Sequence, residues 1–241
     1  MEAGFRSFDY QRSIERIDEI LNSSDSLYED KEEIPSRGLL TFNNGYYVKC
    51  SALFVDMRGS KELNSGKHTR PVLAKIFKTY ISELVALLKD HSGVSEVYIE
   101  GDCVWGIYNT TKKKDIDNLF SVAARVSSLV DILNIKYRKK NYSEISVGVG
   151  LDYGSSFLIK AGHKGTGVNE VVWLGELVGR AAQLCSYGNQ SSGDKEIMVS
   201  NAFYLNLNNH NKGLLEKNEF RNCYHGNVIN KTMDKWVKDN G

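Results

Sequence analysis

Two aspartates carry the first chemical signal in the chain. Asp56 closes the β-prone run of "ALFVDMRGS" (52–60). Asp102 lies in "VYIEGDCVWGIY" (97–108), in the short "EGD" break between two apolar runs. A strand-end carboxylate can cap a turn or a helix. It can also ligate a metal, given a rigid strand behind it and a loop of free N–H groups ahead, and a short motif does not separate the two. Two carboxylates brought to one spot repel unless they are protonated or bridged by cations. Oxygen-only ligation suits Mg²⁺ or Mn²⁺ shared with substrate phosphates. Two such ions, roughly 3.5–4 Å apart, activate an attacking oxygen and stabilise a leaving one. The backbone carbonyl of Met57 could add a ligand, and Gly59, Ser60 and Lys61 offer backbone N–H groups to a triphosphate.

The elements that must position these groups follow from periodicity. "VKCSALFVD" (48–56) predicts a strand ending at Asp56. "RPVLAKIFKTYISELVALLKDHSG" (70–93) predicts a long amphipathic helix, with Pro71 in its first turn and Gly93 as a stop. "VSEVYI" and "CVWGIY" predict a hairpin. "DIDNLFSVAARVSSLVDILNIKYRKK" (115–140) predicts a second long helix. "ISVGVGLDYG" and "SSFLIKAG" predict two strands with a turn at Gly154, with Asp152 a turn residue. "NEVVWLG" predicts a strand, and "ELVGRAAQLCSYG" a short helix ending at Gly188. "EIMVS", "NAFYLNL" and "YHGNVINK" close the body with a strand, a short helix and a further segment. Hairpins joined by crossover helices make a ferredoxin-like α+β fold, a mixed or antiparallel sheet with packed helices. In that arrangement the crossover makes the first two strands parallel neighbours, and the hairpin can bring Asp102 beside Asp56. Residues 1–47 are set apart as an N-terminal helix, with Ile14, Ile17, Ile20 and Leu21 as its apolar positions, and an acidic linker. Residues 48–241 form the main domain.

Composition narrows the function. A net charge of +1 over 241 residues gives no broad nucleic-acid footprint. The N-terminus is polar and charged, unlike a signal peptide. No apolar run approaches the roughly 20 residues that span a bilayer. Cys50, Cys103, Cys185 and Cys223 form no C-x-x-C pair, which argues against a zinc site and fits reduced thiols in the cytoplasm. The expectation is a cytoplasmic protein with neither a membrane nor a nucleic-acid partner.

"FVDMRGS", a long helix, "VYIEGDCVWGIY", "VGVGLDYG" and "VVWLGELVGRAAQL" occur in an order that resembles the catalytic domain of class III nucleotidyl cyclases, over about residues 48–205. The resemblance implies that Asp56 and Asp102 hold two metal ions per site. It also implies a homodimer in which one subunit gives the metal ligands and the other the base- and ribose-binding residues. The reaction it implies is attack of the 3′-hydroxyl on the α-phosphate, giving a cyclic 3′,5′-monophosphate and pyrophosphate.

Four positions depart from the family pattern. Tyr98 stands at the purine-reading lysine, and Val172 at its acidic or threonine partner. Gly179 stands at the ribose-orienting asparagine, and Gln183 at the arginine that stabilises transition-state charge. Loss of one such donor can cost about 2.7–4 kcal/mol in the transition state, and Arg180, next to this site, is the candidate replacement. Altered base readers beside two retained aspartates resemble the pyrimidine cyclases of bacterial anti-phage (Pycsar) defence. That implies UTP as preferred substrate, CTP as the second choice, and a separate effector protein that senses the product. The rival readings are a degenerate cyclase domain that senses nucleotides, and a palm-like polymerase or diguanylate cyclase, whose turn carries an acidic pair absent from "IEGDCV". Arg58 is expected on phosphate or in solvent, the "KYRKK" run in solvent at a helix end, and Trp105 and Trp173 in the core.

Overall fold

The computed structural model describes residues 5, 7–63, 65–162 and 169–241; residues 1–4 and 6 of the N-terminal stretch lie outside them. The chain opens with α1 (Tyr10–Leu21), whose first turn is capped by the Asp9 carboxylate accepting from the Gln11 and Arg12 N–H groups. Then come β1 (Tyr28–Lys31), β2 (Gly45–Arg58), the single turn α2 (Ser60–Leu63), α3 (Arg70–Lys89) and the hairpin β3 (Val94–Glu100) and β4 (Cys103–Tyr108). α4 (Lys113–Arg138), β5 (Ser146–Gly162), β6 (Asn169–Leu174) and α5 (Glu176–Tyr187) follow. β7 (Ile197–Val199), α6 (Asn201–Asn206), α7 (Asn209–Lys212), β8 (Glu216–Asn218), β9 (Cys223–Gly226) and α8 (Lys231–Asn240) complete it.

Among the described residues the strands form one mixed sheet in the order β3-β4-β2-β5-β7-β9-β8, with β1 beside β2 and β6 beside β5. The helices pack against it, as expected for α+β. The strand order corrects one expectation. β2 and β3 are not neighbours, because β4 lies between them, antiparallel to both. Burial explains the choice. β4 buries Val104, Trp105, Ile107 and Tyr108, whereas β3 exposes Ser95, Ile99 and Glu100 and so suits an edge.

Other expectations change as well. The segment expected as a linker contributes β1, parallel to Gly45–Val48 of β2. No turn occurs at Gly154, which pairs with Cys50 inside a 17-residue strand. β2 supplies a continuous ladder partner from Gly45 to Arg58, so β5 has no reason to reverse there. Asp152 is therefore a buried strand residue rather than a turn residue.

Side-chain alternation gives the sheet two unlike faces. Leu53, Val55 and Met57 of β2 join α3 and α4 in one apolar core, with Ile76, Leu84 and Phe120. Val48, Cys50, Ala52 and Phe54 point the other way, to a smaller core with Trp105, Trp173 and the α5 residues Leu177 and Ala181. Each fully buried aliphatic or aromatic side chain is worth about 1.5–3 kcal/mol. α5 lies close to β5 because Gly150 has no Cβ; one there would collide with the Ala181 carbonyl and the Cys185 backbone nitrogen.

Candidate active site

β2 runs two residues past Asp56, to Arg58, so Asp56 is not its end. The register sets Asp56 opposite Cys103, and Asp102 precedes Cys103 in a turn whose Gly101 has φ +65°. The hairpin does bring the two aspartates together. Burial and then the charge of Asp102 raise the pKa of Asp56, while Arg58 and the Met57 N–H oppose them. The donor set fits a hard divalent cation, since it is oxygen-only and a cation between the carboxylates relieves the same repulsion. Among the described residues no His, Cys, Asp and Glu side chains gather in a group of three or more suited to a metal. Further positions would fall to backbone, water or substrate oxygens, as Mg²⁺ tolerates. Beneath the pair, the fully buried Tyr80 hydroxyl has no hydrogen-bond partner. Burial pushes its pKa up, and Cys185, Asp56, Cys103 and Asp102 add to that.

Arg58 departs from both expectations. Its Nη1 donates to Asp56 Oδ2 at 3.1 Å, its Nε to the Gly188 carbonyl at 2.8 Å, and its Nη2 to the Cys185 carbonyl. The guanidinium thus sits on the C-terminal carbonyls of α5, where the helix dipole favours a cation. Gly148 leaves the room for it, because a Cβ there would overlap Arg58 Nη2. Arg58 ties the aspartate end of β2 to α5, and only the glycine of "VGVG" hints at this in the sequence.

Gly59 turns the chain with φ +66°, and Ser60 and Lys61 open α2 beyond it. Lys61 is exposed, and the Met57 side chain is buried in the α3–α4 core, so only its backbone is available to the site. Tyr98 shares the α5 side of the sheet with Phe54. Its ring stacks on Trp105 (centroids 4.2 Å apart), which stacks on Phe54 at 4.8 Å. The Tyr98 hydroxyl donates to Glu96 and accepts from Trp173 Nε1 at 3.2 Å. Glu96 is held by Arg37 Nε at 2.6 Å. Sequence reading missed Glu96 and Arg37. The signal for Glu96 was its place two residues before Tyr98, on the same strand face.

Val172 is half-buried on β6, opposite Ile159. Gly179 is exposed on α5, and a Cβ there would meet nothing within 4 Å. Arg180 donates to Gln183 Oε1 at 2.6 Å and to the Asn222 carbonyl at 2.9 Å. Among the described residues no hydrogen bond or ion pair is seen between these three and the aspartates. Trp105 and Trp173 are buried, as expected.

No protein-family model matches the chain. Among solved structures, the adenylyl cyclase CyaB from P. aeruginosa superposes with a TM-score of 0.58 at 19% identity, covering 72% of this chain and 85% of its own. A class III adenylyl cyclase-like ATP-binding protein from Pseudomonas aeruginosa gives 0.61 at 15%, covering 99% of this chain and 49% of its own. The fold is that of class III nucleotidyl cyclase domains. Two curated relatives resolve the family. A uridylate cyclase from Gulbenkiania mobilis is 34% identical over the full length of both chains, and one from Treponema porcinum is 34% identical over 95% of this chain and 81% of its own. The chain belongs to the uridylate cyclase family. No described helix is long and apolar enough to cross a membrane.

Proposed function

We propose that the protein converts UTP to cyclic 3′,5′-UMP and pyrophosphate. The observation that carries this is the register of β2 against β4, which puts the Asp102 charge on Asp56, in a chain of the uridylate cyclase family. In the reaction the bond from O3′ to the α-phosphorus forms, the bond to pyrophosphate breaks, and the O3′ proton passes to water or to the departing pyrophosphate. Asp56, Asp102 and the Met57 carbonyl would hold two divalent cations, Mn²⁺ or Mg²⁺. When bound, these supply Lewis acidity at the attacking and leaving oxygens. Gly59, Ser60 and Lys61 bind the triphosphate through backbone N–H groups. Tyr98 faces the base, Gly179 leaves room at the ribose, and Arg180 takes the transition-state charge. Val172 alternates with Trp173 on β6 and so turns away from Tyr98. The site is shared across a homodimer, with Asp56 and Asp102 from one copy and Tyr98, Gly179 and Arg180 from the other. The product serves as the signal to an effector protein in a cytoplasmic anti-phage response.

Purified protein incubated with all four nucleoside triphosphates and Mn²⁺, then analysed by mass spectrometry, tests this reading. Cyclic UMP is expected. Dominant cyclic AMP or GMP would refute the pyrimidine preference, and cyclic CMP would refute only uracil. A nucleotide sensor without turnover is the second reading, favoured by the empty Gly179 position. Metal-dependent pyrophosphate release excludes it.

A further inference from the structure

We infer that Glu96 and Arg37 are positioning residues for base choice, holding the Tyr98 hydroxyl as an acceptor that meets the N3–H of uracil. This rests on the proposal above that Tyr98 faces the base of UTP.

The argument starts from donors and acceptors. The Glu96 side chain is 5% exposed. One carboxylate oxygen takes the Arg37 Nε–H at 2.6 Å. The other takes the Tyr98 hydroxyl, and the Trp173 indole N–H is shared between that oxygen at 3.4 Å and the Tyr98 oxygen at 3.2 Å. An ionised carboxylate can only accept, so the phenol proton is committed to Glu96. Toward any ligand, Tyr98 then offers only the lone pair that the Trp173 N–H leaves. Stacking of its ring on Trp105 fixes where that oxygen points. Arg37 supplies the cation that a desolvated carboxylate needs, and a second bond to Glu170 at 3.1 Å steadies it. Arg37 comes from the N-terminal segment, so that segment takes part in the site.

The sequence alone left the phenol free to donate to O4 of uracil or to accept from the cytosine amino group. Glu96 removes the first option. Uracil presents one donor on that edge, N3–H, between two carbonyls. Cytosine presents a bare N3, which repels an acceptor. An acceptor alone also suits the 4-amino group of cytosine. The placement at position 3 follows from the UTP reading above, and there a Tyr98 oxygen takes the N3–H of uracil and repels the bare N3 of cytosine.

The experiment measures kcat and KM for UTP, CTP, 3-methyl-UTP and 4-thio-UTP with the wild type, Glu96→Gln, Arg37→Gln, Tyr98→Phe and the Glu96→Gln/Tyr98→Phe pair. In the wild type, 3-methyl-UTP should lose about tenfold or more in kcat/KM and 4-thio-UTP much less, because one buried polar contact is left unmade. The 3-methyl penalty should shrink in Tyr98→Phe; a purely steric penalty would persist there and count against the contact. Glu96→Gln should lower the UTP:CTP ratio of kcat/KM by about tenfold, mainly through KM for UTP. It should add nothing to Tyr98→Phe. Arg37 is half-exposed, so Arg37→Gln should fold and move the ratio the same way. A folded Glu96→Gln with an unmoved UTP:CTP ratio overturns the roles of Glu96 and Arg37 while leaving uridylate cyclase activity standing. A wild type that makes cyclic CMP overturns the N3–H contact together with the choice of uracil.

Discussion

On the side of β2 that meets α3 and α4, Leu53, Val55 and Met57 lie among aliphatic and aromatic side chains and are closed to solvent. One residue along in each case, on the α5 side, stand Phe54, Asp56 and Arg58, and β3 and β6 add Tyr98, Glu96 and Trp173. There, carboxylates are partly or wholly buried, a guanidinium is tied to helix carbonyls, and the Trp105 indole N–H is buried without a partner. The two rows belong to one strand. A side-chain period of 2 lets one row hold the fold while the other carries polar groups that cost free energy to bury. The α3–α4 side closes over mostly apolar side chains, with the Tyr80 hydroxyl among its few unpartnered polar atoms, and in the proposal above the α5 side takes cations, substrate and a second copy.

The sharpest way to break this contrast is at the aspartates. Asp56→Ala and Asp102→Ala should each reduce turnover by at least about a thousandfold in a folded chain. Asp102→Ala should keep or raise the thermal midpoint because it removes a repelling carboxylate, whereas Asp56→Ala also gives up the bond from Arg58. Substantial activity in either folded variant would end the two-cation assignment. If the α5 side is completed by a second copy, Asp102→Ala chains mixed with inactive Tyr98→Ala chains should regain up to one working site per heterodimer. No recovery in verified heterodimers, assayed by pyrophosphate release, would count against shared sites. On the opposite side, Phe120→Ala should cost about 3–5 kcal/mol in chemical denaturation, with kcat per folded molecule near the wild-type value. A variant of unchanged stability but lost turnover would reverse the roles given to the two sides.

The smallest effect tests an exception near α4. Glu196 Oε1 is buried with no hydrogen bond of good geometry, and burial raises the Glu196 pKa, aided by the charge of Asp131 and opposed by the nearby Ser127 hydroxyl and the Asn189 amide. A carboxyl with a raised folded pKa contributes stability below the unfolded carboxylate range and loses it as pH rises through the folded value. Glu196→Gln should therefore melt higher than the wild type at neutral pH, and the gap should close near about pH 4. A gap independent of pH would assign the effect to packing.

Much of the fold was legible. The two long helices showed their period, α3 its Pro71 start, and α5 its stop at Gly188. The two aspartates were legible as a pair because Asp56 follows an apolar run and Asp102 stands in the glycine turn of the hairpin that packs beside it. The path of β5 was not, because Gly154 looks the same locally in a turn and in a ladder, and only the 14-residue partner β2 decides. The bond from the Tyr98 hydroxyl to Glu96 was not legible either, since Glu96 carries no signal beyond sharing its strand face.

The sequence by itself determined the order and kind of most elements and which carboxylates could meet, since periodicity and turn chemistry act over a few neighbouring residues. Tertiary structure decided the place of β4 between β2 and β3, the seating of Arg58 on the Gly188 carbonyl 130 residues away, and the binding of Arg37 to Glu96 across 59 residues. Strand order follows from which runs can be buried on both faces. The partners of Arg58 and Glu96 follow from which charges the packed helices and strands leave without water, and neither quantity exists until the chain is folded.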